Sequence, residues 1–357
     1  MLKTKQTANC ENCGSANIVK KGFARNRLQT LQKYCCKDCK AIFTMQQAKG
    51  KTYPLNIILN AISTYNLGFT LEKTKEKLNK KYNLNISTKS INNWLNQYKT
   101  ICTFARLRKQ TIKNHSPKNI INKKTLNHIQ PYTFKCHKAK LDILLKENPQ
   151  FSAIKNYIEK INSNNFPHHI FTYNKITNNT NDNQRASQLK FNHLNIETLS
   201  KTNQANQLAK LALNLATTNK ERHQKLQDFF LINDSTTIAA EVPIYLTNWD
   251  AGYYRNQRGF TFPLDNYKTP ITGHIDLLQI RNGLLHVLDY KPEADKINPI
   301  EQLTIYAIAL SRKLNLELYY FKAAWFDENN YYEFFPLHAV YEKQNIMQKE
   351  NPIIIEK

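Results

Sequence analysis

The sequence predicts a multidomain protein: a small cysteine-rich domain, a short all-α domain, and an α/β domain built around a mixed sheet. Three observations predict this organisation. Five of the seven cysteines lie between residues 10 and 39, helical periodicity dominates residues 53–100, and strand and helix patterns alternate after residue 201. We place the domains at residues 1–48, 53–100 and 201–345, with a basic linker and small helical region at 101–200.

The charge of the chain is concentrated in its first half. Residues 1–150 hold 29 Lys and Arg against 6 Asp and Glu, whereas residues 201–357 hold 17 against 18. A basic half joined to a neutral half is typical of a nucleic-acid-binding region attached to a second function. A solvated surface from a lysine-rich proteome is the alternative, but such a bias would affect the whole chain.

The chain shows no membrane or secretion signal. No stretch approaches the ~18 consecutive apolar residues of a membrane helix. The first residues, Met-Leu-Lys-Thr-Lys-Gln, lack the apolar region of a signal peptide. We therefore expect a cytoplasmic protein with no membrane partner.

The cysteines form two CxxC pairs, Cys10/Cys13 and Cys36/Cys39, separated by 22 residues. Each pair turns two thiolates toward one point, so the two pairs can complete a tetrahedral site. Structural zinc suits four thiolates best, and an iron–sulfur cluster is the alternative by ligand type. Cys35 competes with Cys36, but only Cys36 keeps the CxxC spacing. The sequence therefore predicts a zinc ribbon.

Three helices are predicted over residues 53–66, 71–82 and 88–99. Apolar residues recur at helical spacing in the first and third, and Thr70 and Ser87 are suitable N-caps for the second and third. Two helices followed by a short turn and a third helix are typical of a helix-turn-helix domain.

The most informative stretch is a predicted hairpin around Asn282-Gly283. This dipeptide between apolar runs favours a two-residue type I′ turn. Counting outward from the turn brings Asp276 directly opposite Asp289, and Lys291 lies on the same face. Opposed carboxylates destabilise a sheet unless a positive charge lies between them. Two acids and a lysine on one face therefore suggest a divalent-metal site, with a surface ion pair as the alternative.

The remainder of the last domain is predicted in the order helix, strand, hairpin, helix, hairpin. A long helix is expected at Gln204–Phe230 and a strand at Thr237–Leu246. After the hairpin at 271–291, a helix runs from Pro299 to about Lys313. Strands at 316–326 and 331–336 complete the mixed sheet.

The segment Tyr34-Cys-Cys-Lys-Asp-Cys-Lys-Ala-Ile-Phe43-Thr44, followed by Tyr65-Asn-Leu-Gly68 and Ile91-Asn-Asn-Trp94, resembles the zinc ribbon and helix-turn-helix of prokaryotic transposases. The resemblance covers residues 8–100 and implies sequence-specific DNA binding. It makes the exposed face of the third helix the candidate DNA-reading surface, through Lys89, Ser90, Asn92, Asn93 and Gln97. The chain departs from those transposases afterwards, since their ribonuclease-H-like acidic triad has no counterpart.

Gly273-His-Ile-Asp276, Asp289-Tyr-Lys291 and Gln302-Leu-Thr-Ile-Tyr306 resemble the PD-(D/E)XK nuclease superfamily, in its RecB-like branch. The resemblance covers residues 205–325 and implies a restriction-endonuclease-like fold. It implies that Asp276 and Asp289 bind Mg²⁺ or Mn²⁺, that Lys291 assists, and that Gln302 and Tyr306 face the site. Matched by position, His223 would be a helix ligand and Glu241 an acid on the first strand. A satisfied core histidine and an exposed strand glutamate are their alternatives.

We therefore expect a magnesium-dependent DNA nuclease, preferably an endonuclease, targeted by the zinc ribbon and helix-turn-helix. Its expected partner is DNA, a homodimer is compatible with the sequence, and its expected place is the prokaryotic nucleoid. A mobile element or a defence against one is the context that the resemblance suggests. The alternatives are a DNA-binding regulator or transposon-associated protein with an inactive nuclease-like domain, an RNA-directed nuclease, and a transposase with unusual chemistry.

Overall fold

The computed structural model describes residues 9–10, 12–25, 28, 30–44, 52–172, 185–190, 198–260 and 270–341. The chain divides into two compact units. The first comprises Met1–Tyr65 and Phe69–Gln97, and the second comprises Asn66–Gly68 and Tyr98–Lys357. Among the helices of the described residues, none is both long and apolar enough to cross a membrane.

The first unit opens with a three-stranded antiparallel sheet of β1 (Ile18–Arg25), β2 (Thr30–Cys36) and β3 (Ile42–Thr44). The sheet is small and has little apolar interior, since only Cys36 of these strands is fully buried. Such a sheet needs a further link, because two or three short strands without a core are marginally stable. The cysteines beside it are the natural candidates for that link.

The three predicted helices of the first unit are confirmed as α1 (Leu55–Asn66), α2 (Leu71–Tyr82) and α3 (Thr88–Tyr98). The predicted caps are also present. Thr70 accepts a hydrogen bond from the backbone of α2, and Ser87 accepts one from the backbone of α3. The turn between α2 and α3 is thereby set by local sequence.

The second unit is built on a mixed sheet, in which the described residues contribute eight strands in the order β4-β5-β7-β8-β9-β10-β11-β6. The β9–β10 pair is parallel and the other neighbours are antiparallel. The strands are β4 (Ile121–Asn127), β5 (Pro131–His137), β6 (Leu199–Ser200), β7 (Thr237–Leu246), β8 (Ile271–Arg281), β9 (Leu284–Tyr290), β10 (Phe321–Phe326) and β11 (Tyr331–Phe334). The predicted mixed sheet is therefore confirmed.

The described residues of this unit also form eight α-helices, five of which contribute buried side chains to the main hydrophobic core of the sheet. The eight helices are α4 (Ala105–Asn114), α5 (Lys138–Glu147), α6 (Ala153–Ile161), α7 (Gln204–Ala212), α8 (Arg222–Asn233), α9 (Asn248–Arg258), α10 (Ile300–Leu314) and α11 (Pro336–Val340). Helix α10 is buried on nearly every side, as its apolar sequence predicts. It supplies the centre of the core that holds the sheet rigid.

The structure differs from the expectation that residues 101–200 are a linker with a small helical region. Helix α4 and strands β4 and β5 fall within that segment, and β5 pairs with β7 at the heart of the sheet. The main segment of the second unit accordingly begins at Tyr98, not at residue 201. Lys123 and Lys124 hid the strand periodicity of β4, which lies at the sheet edge, where lysines are favoured. Lys135 interrupts the apolar pattern of β5, where it is buried and pairs with Asp228.

The single long helix predicted at Gln204–Phe230 is also wrong. The segment forms α7 and α8, with short 3-10 turns at Leu213–Leu215 and Asn219–Glu221 between them. Thr217 breaks the helix because it is β-branched and its backbone and hydroxyl both bond to the Glu221 carboxylate. The break sets the start of α8, which carries His223.

Candidate functional site

The four predicted cysteine ligands come together. The Sγ atoms of Cys10 and Cys39 lie 3.5 Å apart and those of Cys13 and Cys36 lie 3.6 Å apart, and all four lie within 4.8 Å of one another. Zn–S bonds of about 2.3 Å in a tetrahedron require sulfur atoms about 3.8 Å apart. The four thiols therefore fit a metal ion such as zinc.

Cys35 does not belong to this cluster. Its Sγ lies 3.6 Å from the carbonyl oxygen of Cys36 and 4.0 Å from that of Lys40. Adjacent residues of a strand point to opposite faces, so only one of Cys35 and Cys36 can face the other three thiols. The CxxC spacing identified the correct one.

The acidic hairpin has the predicted register. Both turn residues, Asn282 and Gly283, have positive φ, as a type I′ turn requires. Pairing runs outward from the turn as far as Leu277 opposite Leu288. One further step places Asp276 opposite Asp289, as the sequence predicted.

A third acid extends this row onto the neighbouring strand. On β7, Ala240 pairs with Leu277 and Val242 with Ile275, so Glu241 lies opposite Asp276. Adjacent strands are about 4.8 Å apart. Three carboxylates therefore lie side by side across β7, β8 and β9.

The electrostatics of the two aspartates reflect this crowding. Burial, followed by the charge of Glu241, raises the pKa of Asp276 to about 6. Burial, followed by the charge of Asp276, raises the pKa of Asp289 to about 8. Of the two carboxyl groups, Asp289 therefore holds a proton more readily than Asp276. A divalent cation between them would offset both the cost of burying the charges and their mutual repulsion, and so lower both pKa values.

Two basic groups accompany the aspartates. Lys291 Nζ lies 2.7 Å from Asp289 Oδ2, but outside hydrogen-bond geometry, so this buried oxygen has an ion-pair partner and no hydrogen bond. His223 Nδ1 lies 3.5 Å from Asp276 Oδ2. The His223 side chain is 45% exposed, so the alternative of a core histidine is wrong. Partial burial lowers the pKa of His223, which favours the neutral form.

Glu241 has an unusual backbone for a residue inside a strand. Its φ is +53°, a region that residues with a side chain adopt at a free-energy cost of about 1–3 kcal/mol. Gln227 of α8 donates a hydrogen bond of 2.7 Å to Glu241 Oε1. Burial raises the pKa of Glu241. The hydrogen bond from Gln227 thus fixes the position of the Glu241 carboxylate. Backbone strain of this kind is common at functional sites, where the position of a side chain is favoured over the stability of the protein.

Gln302 and Tyr306 meet on one face of α10, as their spacing predicted. Gln302 Nε2 donates to Tyr306 Oη over 2.9 Å. The tyrosine ring lies directly on the backbone of β8 at Gly273, where an added Cβ would lie 2.4 Å from Tyr306 Cε1. A glycine is therefore required at this position for the ring to reach the site.

All seven residues predicted for the catalytic site line one cavity of about 320 Å³ in the second unit. These are His223, Glu241, Asp276, Asp289, Lys291, Gln302 and Tyr306. Among the described residues, only the four cysteines bring three or more potential ligand atoms within 4.8 Å of one another. The acidic cavity would therefore hold a metal mainly through Asp276 and Asp289, with positions left for water and substrate.

The sequence analysis missed the opposite part of the cavity wall. His128, Tyr132, Phe171, Arg185 and His274 also line it. Four of these five residues come from the segment interpreted as a linker. The alternation Tyr132-Thr-Phe134-Lys-Cys136 is a strand signal that could have placed Tyr132, and the predicted strand could have placed His274, two residues before Asp276. His128, Phe171 and Arg185 lack any local signature.

The DNA-reading residues predicted on α3 are largely exposed. Lys89, Asn92, Asn93 and Gln97 face solvent, whereas Ser90 is half-buried and its hydroxyl lies 3.0 Å from that of Ser87. Ser90 therefore takes part in the helix cap. Amide side chains such as those of Asn92 and Asn93 can both donate to and accept from base edges.

Comparisons with protein families, with curated proteins and with solved structures found no match to this chain.

Proposed function

We propose that the chain is a metal-dependent DNA nuclease, acting within strands, and that its first unit brings it to DNA. The observation that carries the proposal is the row of Glu241, Asp276 and Asp289 across three adjacent strands, with Lys291 beside it, in one cavity. Such a row is unfavourable for stability by itself. A cation and a phosphate group are the ligands that would make use of it.

Asp276 and Asp289 would hold Mg²⁺ or Mn²⁺ through hard oxygen ligands. The bound ion supplies a nucleophilic water at neutral pH and neutralises charge on the phosphate. Asp289 must lose its proton for this role, and the ammonium group of Lys291 favours that loss. Lys291 then stabilises negative charge on the phosphate or orients water, and neutral His223 is placed to assist through Asp276.

The first unit supports DNA as the substrate. The first unit holds 17 Lys and Arg against 4 Asp and Glu. Its order of α2, a short turn and α3 is that of a helix-turn-helix, in which the last helix reads the major groove. The thiol cluster would hold zinc and so fix the ribbon. A protein that carries its own DNA-binding domain can bind DNA away from its ends, which favours cleavage within strands.

Incubation of supercoiled plasmid and of linear DNA with the protein and Mg²⁺ or Mn²⁺ tests the proposal. Wild type should nick or linearise the plasmid, and Asp289→Ala should reduce the rate by about 10²-fold or more. Asp295→Ala, which removes an exposed acid outside the cavity, is the matched control. RNA of the same sequence tests the choice of nucleic acid.

Equal behaviour of wild type and Asp289→Ala would reject the nuclease and leave a DNA-binding regulator with an inert second unit. Joined products in place of simple cleavage would instead indicate strand transfer.

A further inference from the structure

A chain of four polar side chains, linked by close nitrogen–nitrogen contacts, leads to the part of the cavity wall that does not carry the acids. Lys124 Nζ lies 3.3 Å from His168 Nε2, His168 Nδ1 lies 3.1 Å from His128 Nε2, and His128 Nδ1 lies 2.7 Å from His274 Nε2. Strand β4 provides Lys124, the turn after it provides His128, and β8 provides His274. The last two side chains line the cavity.

The direction of every hydrogen bond in this chain is fixed by its first member. A lysine ammonium group can only donate, so His168 Nε2 accepts and His168 Nδ1 carries the proton. His128 Nε2 must then accept, so His128 Nδ1 carries the proton and donates to His274 Nε2. The proton of neutral His274 is therefore on Nδ1.

Protonation of the middle histidines is incompatible with the same contacts. An imidazolium His128 would donate from both nitrogens and would force His168 Nδ1 to accept. His168 would then carry its proton on Nε2, facing the ammonium group of Lys124. The contacts thus keep His168 and His128 neutral. They also keep an N–H donor at His274 Nδ1, for which the described residues provide no acceptor.

Arg185 adds a cation beside this donor. It forms an isolated bridge with Thr272, two residues before His274, and both Arg185 and Thr272 line the cavity. No acidic side chain of the described residues pairs with Arg185. A guanidinium and a fixed N–H donor on one wall suit an acceptor-only anion.

We propose that Arg185 and His274 form a phosphate subsite, separate from the acids, that binds the phosphate next to the one that is cleaved. The subsite rests on the proposed nuclease function. His274 and Asp276 are two residues apart on one face of β8, about 7 Å along the strand, which is comparable to one nucleotide of an extended backbone. Tyr132 stacks on His274 at a ring distance of 3.7 Å and holds the imidazole plane. Lys124, His168 and His128 act as positioning residues.

A scan with uncharged linkages tests the subsite. Short oligonucleotides are prepared with one methylphosphonate at each position in turn, and binding is measured by fluorescence anisotropy with Ca²⁺ alongside cleavage with Mg²⁺. For wild type, one linkage beside the cleaved bond should weaken binding about tenfold or more. Arg185→Gln should bind weakly and lose this sensitivity, and Arg185→Lys should retain part of it.

Arg281→Gln is the matched control, because Arg281 lies on the same strand about 17 Å from Asp276 and does not line the cavity. It should keep the wild-type profile. Identical profiles for wild type and Arg185→Gln would overturn the subsite. If no DNA is cleaved at all, the nuclease proposal fails, while the binding scan still decides whether Arg185 recognises a phosphate.

Nitrogen-15 NMR of histidine-labelled protein tests the positioning chain independently of activity. His168, His128 and His274 should all show the tautomer with the proton on Nδ1. Lys124→Met should release His168 from that tautomer and reduce the methylphosphonate sensitivity. A proton on Nε2 of His274, or an imidazolium at His128 near neutral pH, would contradict the proposed role of the chain.

Discussion

The two candidate metal sites of this chain are built on opposite principles. The cysteine cluster draws four like ligands from one short segment, 10–39, and four thiolates could fill every position around a tetrahedral ion. The acidic cavity draws its residues from α8, β7, β8, β9 and α10 and leaves positions open. The comparison teaches that a closed site stabilises a fold that lacks a core, whereas an open site depends on a fold that already has one.

The largest effect is expected from breaking the closed site. Cys10→Ser removes one of four thiolates, so the first unit should lose most of the roughly 10–16 kcal/mol that structural zinc contributes to such small domains. Zinc content and circular dichroism would show this loss. Cys35→Ser is the matched control and should bind zinc normally, and equal zinc loss in both variants would contradict the assignment of Cys36.

The acidic cavity should make the stability of the metal-free protein depend on pH, and bound Mg²⁺ should change that dependence. Because folding raises the pKa of Asp289 to about 8, the metal-free folded protein binds more protons than the unfolded chain above pH ~4. Its stability should therefore fall as pH rises from about 4 to 8, and Mg²⁺ should restore stability most strongly near pH 8. Thermal unfolding with EDTA and with Mg²⁺ measures both effects.

Asp289→Asn sharpens this test, because it removes the titrating group and keeps the side-chain shape. The variant should be more stable than wild type in EDTA at pH 8 and should gain little from Mg²⁺. A pH profile that matches wild type would show that Asp289 does not carry the raised pKa.

A smaller effect should follow from Gly273→Ala. The added Cβ would collide with the Tyr306 ring, so we expect a destabilisation of about 1–3 kcal/mol and a lower cleavage rate. Gly252→Ala places the same methyl group in open space within α9 and should stabilise the helix by ~0.5–1 kcal/mol. Denaturant unfolding of the two variants compares them directly, and equal stabilities would show that Tyr306 can move aside.

The smallest and most specific effect is expected at the DNA reader. Asn92→Ala should remove about 1–3 kcal/mol of discrimination at one base pair if this amide reads adenine, with little change in non-specific affinity. Lys89→Ala should weaken all sequences alike and reduce the salt dependence of binding. Selection of bound sequences from a random DNA pool, followed by titration at several salt concentrations, distinguishes the two outcomes.

Much of the acidic site could be predicted from sequence because its key relation is local. The Asn282-Gly283 turn fixes the register of its own hairpin, and that register alone places Asp276 opposite Asp289. The spacing of Gln302 and Tyr306 is equally local. The CxxC pairs likewise define the thiol cluster without reference to the remainder of the chain.

The part of the cavity wall that was not predicted depends instead on contacts between distant parts of the chain. His128 and Arg185 reach the cavity only because β5 pairs with β7 and because residue 185 bridges to β8. These pairings join residues far apart in sequence, and no turn or spacing encodes them. The basic composition of β4, typical of an edge strand, pointed to a linker instead.

The positive φ of Glu241 has a consequence for how this protein can change over generations. Replacement by Gly or Asn would relieve the strained backbone and, at the same stroke, delete one carboxylate of the row. Selection for thermal stability alone would therefore erase this acid early. A glutamate is therefore expected at this position only where its carboxylate has a use, such as the one proposed above.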